Sequence, residues 1–224
     1  NAYGLFKEGA VSEALKETTG LMGRREVGLP ATVACLHYHE KMPSVDQDAV
    51  RDLKQRVQSE LQSASDHAVL TTAMLQMLFE DFTNARANAR KVAEAVPSPL
   101  AFAIKGWVEH EAANAASIAN QAKASADAIE KCSAAFEAAM RQRGGDQCIE
   151  ALLLKVKVLE AQRQWQPAMD LINKVAVTFP WFFPALVEKA KILMMTGDWE
   201  RALETAAQMS QVQQEGGERE QFEP

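Results

Sequence analysis

The chain has 224 residues, 47% of them apolar, and a formal charge of −6. That is enough for one large domain or one repeat array with a continuous core. Basic residues are interspersed with acidic ones, which excludes a nucleic-acid stripe, and no run of roughly 18 apolar residues offers a membrane-spanning helix. No signal peptide is visible. Cys35, Cys132 and Cys148 are an odd, scattered set. They fit buried thiols in a reducing compartment better than disulfides.

In chain order, residues 1–6 read as the end of a helix and Lys7-Glu8-Gly9 as a turn. Residues 11–22 read as a paired helix with Ala14 at its small position. Gly20, Gly23 and Gly28 mark the exit. Pro30 opens a helix over 31–42, where a missing N–H costs little. Asp46 is the expected N-cap of a long helix over 47–63, with Ala49, Val50, Leu53, Val57 and Leu61 at helical spacing. Residues 66–79 form the next helix. Phe82 and Ala85 begin another, which Pro97 closes. Pro99 starts a helix carrying Phe102, Ile104 and Trp107. An alanine-rich stretch, 112–126, lacks a clear stop. Ala128, Cys132, Ala135 and Phe136 supply the next apolar face, and Gly144-Gly145 breaks it.

The last third carries the strongest signal. Trp165 and Trp199 are 34 residues apart, and so are Ala168 and Ala202, each three residues after its tryptophan. Phe82 and Ala85 repeat the pair. Between them the small position recurs at Ala128, after 43 residues, and at Ala168, after 40. A 34-residue period with an aromatic, a small residue and an apolar helical face is the mark of a tetratricopeptide repeat. Each repeat is a helical hairpin, and neighbours stack to share a core. In the final repeat Ala190 and Ala202 are expected at the closest approach of the two helices. Pro180 closes the preceding repeat and pushes Phe179 toward an extended backbone. The expected architecture is an all-α tetratricopeptide-repeat solenoid without strands, with about five and a half hairpins and roughly twelve helices. Residues 1–213 are expected to form the array and 214–224 a polar tail or linker. The array lacks an N-terminal capping helix and reads as a segment of a longer solenoid.

Little in the sequence suggests chemistry. Cys35, His37, His39 and Glu40 are the one cluster with metal-ligand character. On a helix Cys35 and His39 share a face while His37 points about 200° away, so a tetrahedral site would need ligands from elsewhere. A buried cysteine with surface histidines is the expectation, with no metal and no cofactor. His67 and His110 look isolated, and pairs such as Glu109/Glu111 and Asp46/Asp48 face different ways and read as solvated surface carboxylates. No nucleophile–base pair or phosphate loop is present, so no enzyme is expected. The run 178–184, TFPWFFP, is the candidate for partner contact. Trp181, Phe182 and Phe183 cannot easily all face inward from a connector, and aromatics make good anchors. A clamp for peptide carboxylates on the helix A face is not supported. Val187 and Lys191, and before them Leu153 and Lys157, stand at the relevant positions without an asparagine.

The junction Phe179 to Leu186, followed by Asp198-Trp199, resembles the N-terminal region of the intraflagellar transport protein 139 family, also called tetratricopeptide repeat protein 21. The opening AYGLFKEGAVSEALKE and the segment ATVACLHYHEKM are similar to it in order and spacing. The alanine-rich stretch departs from it, being longer and less charged. The resemblance implies a peripheral, non-catalytic subunit of the intraflagellar transport A complex, which serves retrograde transport and protein entry in cilia and flagella. Its implied partners are other subunits of that complex, neighbouring train components or ciliary cargo, with no nucleic acid and no membrane insertion. The implied locations are cytoplasm, cilium or flagellum, and basal body. A cytosolic repeat adaptor or co-chaperone for short peptides is the alternative.

Overall fold

The computed structural model describes residues 2–118 and 124–220. These residues form twelve α-helices, one 3-10 turn and no strand. In order they are α1 (Ala2–Lys7), α2 (Val11–Thr19), α3 (Gly28–Glu40), α4 (Gln47–Ser63), α5 (Asp66–Leu78), α6 (Phe82–Ala95), α7 (Pro99–Ile118), α8 (Ala124–Met140), α9 (Ile149–Ala161), α10 (Trp165–Thr178), α11 (Phe183–Thr196) and α12 (Trp199–Glu220).

Each odd helix packs on the even helix after it, giving six hairpins. The first helices also touch in turn, α3 on α5, α5 on α7 and α7 on α9. Second helices α2, α6, α8 and α10 each lean on the hairpin that follows. This is the stacking that defines an all-α repeat solenoid. It also explains two helix types. α9 has neighbours on several sides and buries Ala151, Leu152, Leu153, Leu154, Val156, Val158 and Leu159. α10 buries only the stripe Ala168, Met169, Ile172 and Val175, at helical spacing. Each fully buried leucine or isoleucine contributes about 1.5–3 kcal/mol, so Leu154, Ile172, Ile192 and Leu193 are principal ties.

Four of the hairpins close by one repeated turn. The N–H groups of Ala10, Asp81, Gln164 and Asp198 reach back five residues to the carbonyls of Leu5, Gln76, Leu159 and Leu193, at 2.8–2.9 Å. The residue before each donor, Gly9, Glu80, Arg163 or Gly197, has φ between 57° and 86°. This is the Schellman closure, in which a left-handed residue lets the chain satisfy the last carbonyls of the first helix.

Three consecutive helices, α4, α5 and α6, start on side-chain caps. The Asp46 carboxylate accepts from the N–H groups of Asp48 and Ala49, both at 3.1 Å. Ser65 and Asp81 cap α5 and α6 in the same way. Several helix ends differ from expectation by one to three residues, the largest shifts falling in α2 and α3. α2 stops at Thr19, three residues early, where Gly20 withdraws helix propensity. α3 begins at Gly28 rather than at 31, which leaves Pro30 inside the first turn, where its absent N–H is not needed. Residues 119–123 of the alanine-rich stretch, and 221–224 of the expected tail, lie outside the described residues.

Two glycines are fixed by packing: Gly145, where a Cβ would stand 2.4 Å from the Ala139 carbonyl oxygen, and Gly106. A Cβ on Gly106 would stand 2.3 Å from Leu154 Cδ2 and 2.9 Å from the Ala135 Cβ. Its carbonyl also accepts from the Cys132 thiol at 3.4 Å. Here α7, α8 and α9 meet closely, and only hydrogen fits.

Candidate functional site

A charged, half-buried locus lies between the first helices of three successive hairpins. Lys157 of α9 donates to Glu160 Oε2 at 3.0 Å and to Glu188 Oε2 of α11. Lys191 donates to the other Glu188 oxygen at 2.8 Å. The side chains of Lys157, Glu160 and Glu188 are only 14–20% exposed. Charges removed from water to this extent need partners, and each has one.

The pairing sets the protonation states. Burial opposes charge on Lys157, but the hydrogen bonds and charges of Glu188 and Glu160 outweigh it and hold the amine above its ordinary range. Burial likewise opposes charge on Glu188, but the bonds from Lys157 and Lys191 prevail and lower it. For Glu160 burial wins over the attraction of Lys157, and its carboxyl rises.

His110 enters from α7. Its ring stacks on Trp107 with centroids 5.4 Å apart and planes 9° from parallel. Trp107 is held in turn by its Nε1–H, which donates to the Glu150 carbonyl at 2.9 Å. The Asn114 amide lies 3.2 Å from His110 Nδ1. Burial is the main cause that keeps the imidazole below its ordinary value and so neutral. His110, Asn114, Lys157 and Glu160 line a groove of about 520 Å³, with Trp165 and Met195 on its apolar side. No serine, threonine or cysteine lines it, and a lysine held protonated is no nucleophile.

The aromatic junction divides its rings. Phe179 and Phe182 are half-buried and pack on the core of α9–α12. Phe183 is half-buried at the start of α11, and Pro180 is exposed. Trp181 is 67% exposed. It rests edge-on against Phe179 (6.4 Å) and Phe182 (5.6 Å). Val177 beside it is also exposed. The indole is thus propped by two anchored rings and offered to solvent.

The repeat positions sort by depth. Ala85 and Ala168 are fully buried, Ala128 and Ala202 nearly so, and Ala190 is half-buried. Phe82 and Trp165 are half-buried. Trp199, one repeat after Trp165, is 63% exposed, together with Met195 and Leu203.

The Cys35–Glu40 side chains diverge. Cys35 is buried with its sulfur 3.9 Å from the Thr19 hydroxyl. Glu40 pairs with Lys54 at 2.8 Å. The histidines are not surface residues as expected. His37 is half-buried and stacks on Phe79 at 4.0 Å and 10°, and His39 is half-buried too. No group of three His, Cys, Asp or Glu among the described residues is placed to hold a metal ion.

Two expectations from local spacing need correction. His110 is not isolated: α9 and α11 bring charged neighbours to it from distant sequence. Glu109 is not merely solvated: it takes a bidentate pair of bonds from Arg86 of α6, at 2.9 and 3.2 Å. One signal for the buried network was present. Lys157 and Lys191 are 34 residues apart and so hold the same place in successive repeats.

Comparison with known proteins covers the hairpins from α1 to the start of α12. The family model described as the tetratricopeptide repeat protein 21 N-terminal ARM repeat matches residues 1–203. The chain is 26% identical over 210 residues to tetratricopeptide repeat protein 21B of Homo sapiens, covering 93% of the chain and 15% of that protein. It is 24% identical over 213 residues to the Mus musculus 21B protein, with the same coverage. Against the Mus musculus 21A protein it is 25% identical over 207 residues, covering 91% of the chain and 14% of that protein. The chain thus spans about one seventh of the length of these relatives. With its all-helical hairpins and its matching N-terminal repeats, the chain belongs to the tetratricopeptide repeat protein 21 family, in that family's N-terminal repeat region.

Proposed function

We propose that this chain is a non-catalytic protein–protein interaction scaffold within the intraflagellar transport A complex, acting in retrograde transport and protein entry in cilia and flagella. Trp181 carries the reading: a large aromatic, propped by Phe179 and Phe182, stays two-thirds exposed on a stacked array. Exposed aromatics with preset orientation are efficient interface anchors, because little side-chain freedom is lost on contact. Membership in the tetratricopeptide repeat protein 21 family supports the ciliary setting.

The partners are other subunits of the A complex, with neighbouring train components or ciliary cargo beyond them. The places of action are cytoplasm, cilium or flagellum, and basal body. No described helix is long and apolar enough to cross a membrane. The test is affinity purification of the full-length protein from ciliated cells, reading transport A subunits by mass spectrometry. Their absence from the purified material would refute the assignment. A peptide-clamp co-chaperone is the weaker reading, because Lys157 and Lys191 are already engaged by Glu188.

A further inference from the structure

Helices α2, α6, α8 and α10 each pack on the hairpin after them, but α4 packs closely only on α3. A crevice of about 290 Å³ opens between α4 and α6, with α3 and α5 beneath it. Lys91 of α6 bridges one end, donating to the Leu61 carbonyl of α4 at 3.3 Å. Val33, Val57, Leu61 and Phe79 give the crevice apolar walls.

Two carboxamides sit at its floor. Gln76 and Asn88 are 5% and 7% exposed, and Asn88 Nδ2 donates to Gln76 Oε1 at 2.8 Å. That bond leaves Gln76 Nε2 and Asn88 Oδ1 without a protein partner. Among the described residues, the unpartnered side-chain atoms sealed from solvent are His39 Nδ1, His110 Nε2 and Glu160 Oε1. Both free amide atoms therefore still open on the crevice. They stand on neighbouring groups, and turning both amides over leaves the same pair, one donor and one acceptor. Polar groups this deep gain most from a partner.

A donor beside an acceptor matches a peptide main chain, which carries both along its length. A helix does not suit the crevice. Its main chain is bonded internally, and one turn with side chains fills roughly 500 Å³. The charged groups on the walls are already engaged. Lys54 pairs with Glu40 at 2.8 Å, and the Asp81 carboxylate accepts from Asn84. Burial, the first cause, keeps His37 below its ordinary value and so neutral. A charge brought in would find no free counter-ion. We infer that this crevice takes an extended, uncharged segment of a partner protein, its main chain bonded to Gln76 and Asn88 and an apolar side chain against Phe79.

The occupant is a partner protein, as in the scaffold reading; nothing else is borrowed from it. The test titrates the chain, labelled on glutamine side chains and histidine, with the capped peptide acetyl-Ala-Val-Ala-amide, followed by NMR. Saturable shifts of the Gln76 carboxamide and the His37 ring are expected, with Gln208 and His67 unmoved. Methylating the peptide's backbone nitrogens removes its donors and weakens binding about tenfold. Glutamate or lysine in place of valine abolishes the shifts. Gln76→Leu with Asn88→Leu exchanges both amides for apolar groups of similar size, which a buried pair tolerates. It weakens the His37 response about tenfold or more. No saturable shift, equal binding of the methylated peptide, or unchanged affinity in the double variant overturns the proposal. So does acetamide binding as tightly as the tripeptide, which marks a pocket for side-chain amides instead. Should the double variant lose its helical circular dichroism, the two peptides on wild type decide alone. A failed titration leaves the ciliary scaffold standing, and failed co-purification leaves the crevice standing as a peptide site.

Discussion

Lys157 and Lys191, one repeat length apart, both hold the carboxylate of Glu188, one from α9 and one from α11. The bond from Lys157 crosses between hairpins; that from Lys191 stays on one helix. Their side chains are 18% and 54% exposed, so the two lysines differ in weight. Lys157→Met leaves two buried carboxylates without their shared cation, and such removals cost about 3–5 kcal/mol. Lys191→Met removes a largely solvated i,i+3 pair worth about 0–1 kcal/mol. Urea unfolding of both variants checks the ranking. Equal losses contradict it.

The same carboxylate gives a pH dependence. Glu188 titrates below its ordinary value of 4.5, because its lysine bonds outweigh burial. A lowered folded pKa means stability present above the unfolded value and lost as pH falls through the folded one. Glu160 is raised by burial and has the opposite sign: its contribution is present below 4.5 and lost as pH rises through its folded value. The difference between wild type and Glu188→Gln isolates the first group. It is expected to be constant above roughly pH 6 and to shrink as pH falls through and below 4.5. Chemical denaturation across that range reads it directly.

Two of the four Schellman turns carry a side chain at the left-handed position, Glu80 with φ 62° and Arg163 with φ 57°. An L-residue there costs about 1–2 kcal/mol locally, partly offset because glycine loses more backbone entropy on folding. Glu80→Gly and Arg163→Gly are each expected to stabilise by about 0.5–1 kcal/mol. Gly197→Ala, at φ 78°, is expected to destabilise by a similar amount. Thermal melts of the three variants provide the comparison.

Gly106→Ala sets helix propensity against packing. Propensity favours alanine by about 0.5–1 kcal/mol. The new methyl meets Leu154, which can turn aside, and the Ala135 Cβ, which has no torsion to turn. Overpacking of this kind costs about 1–3 kcal/mol, so net destabilisation is expected. Adding Ala135→Gly to the variant is expected to recover part of it, read by urea midpoint.

The fold was legible because its signals are local. The predicted limits of α4 match Gln47–Ser63 because the Asp46 cap and the apolar spacing act within one helix. The 34-residue pairs located α10 and α12 by the same logic. The turns at Glu80 and Arg163 escaped notice because neither is glycine, and only the backbone reveals their φ. The groove escaped because His110, Lys157 and Glu188 meet across three hairpins at unequal spacing, and an irregular repeat between α7 and α9 hides the register. The exposure of Trp181 was open to inference, since three rings between two prolines cannot all turn inward.

The central claim is that this array acts by presenting anchored surface to ciliary transport partners. Its most direct measurement is quantitative co-purification of full-length protein from ciliated cells, wild type beside Trp181→Ala. Because Trp181 is 67% exposed, the variant is expected to melt within about 1 kcal/mol of wild type. The account predicts recovery of transport A subunits with wild type and a loss of at least one of them with the variant. Recovery of none with wild type, or identical recovery from both, would contradict it.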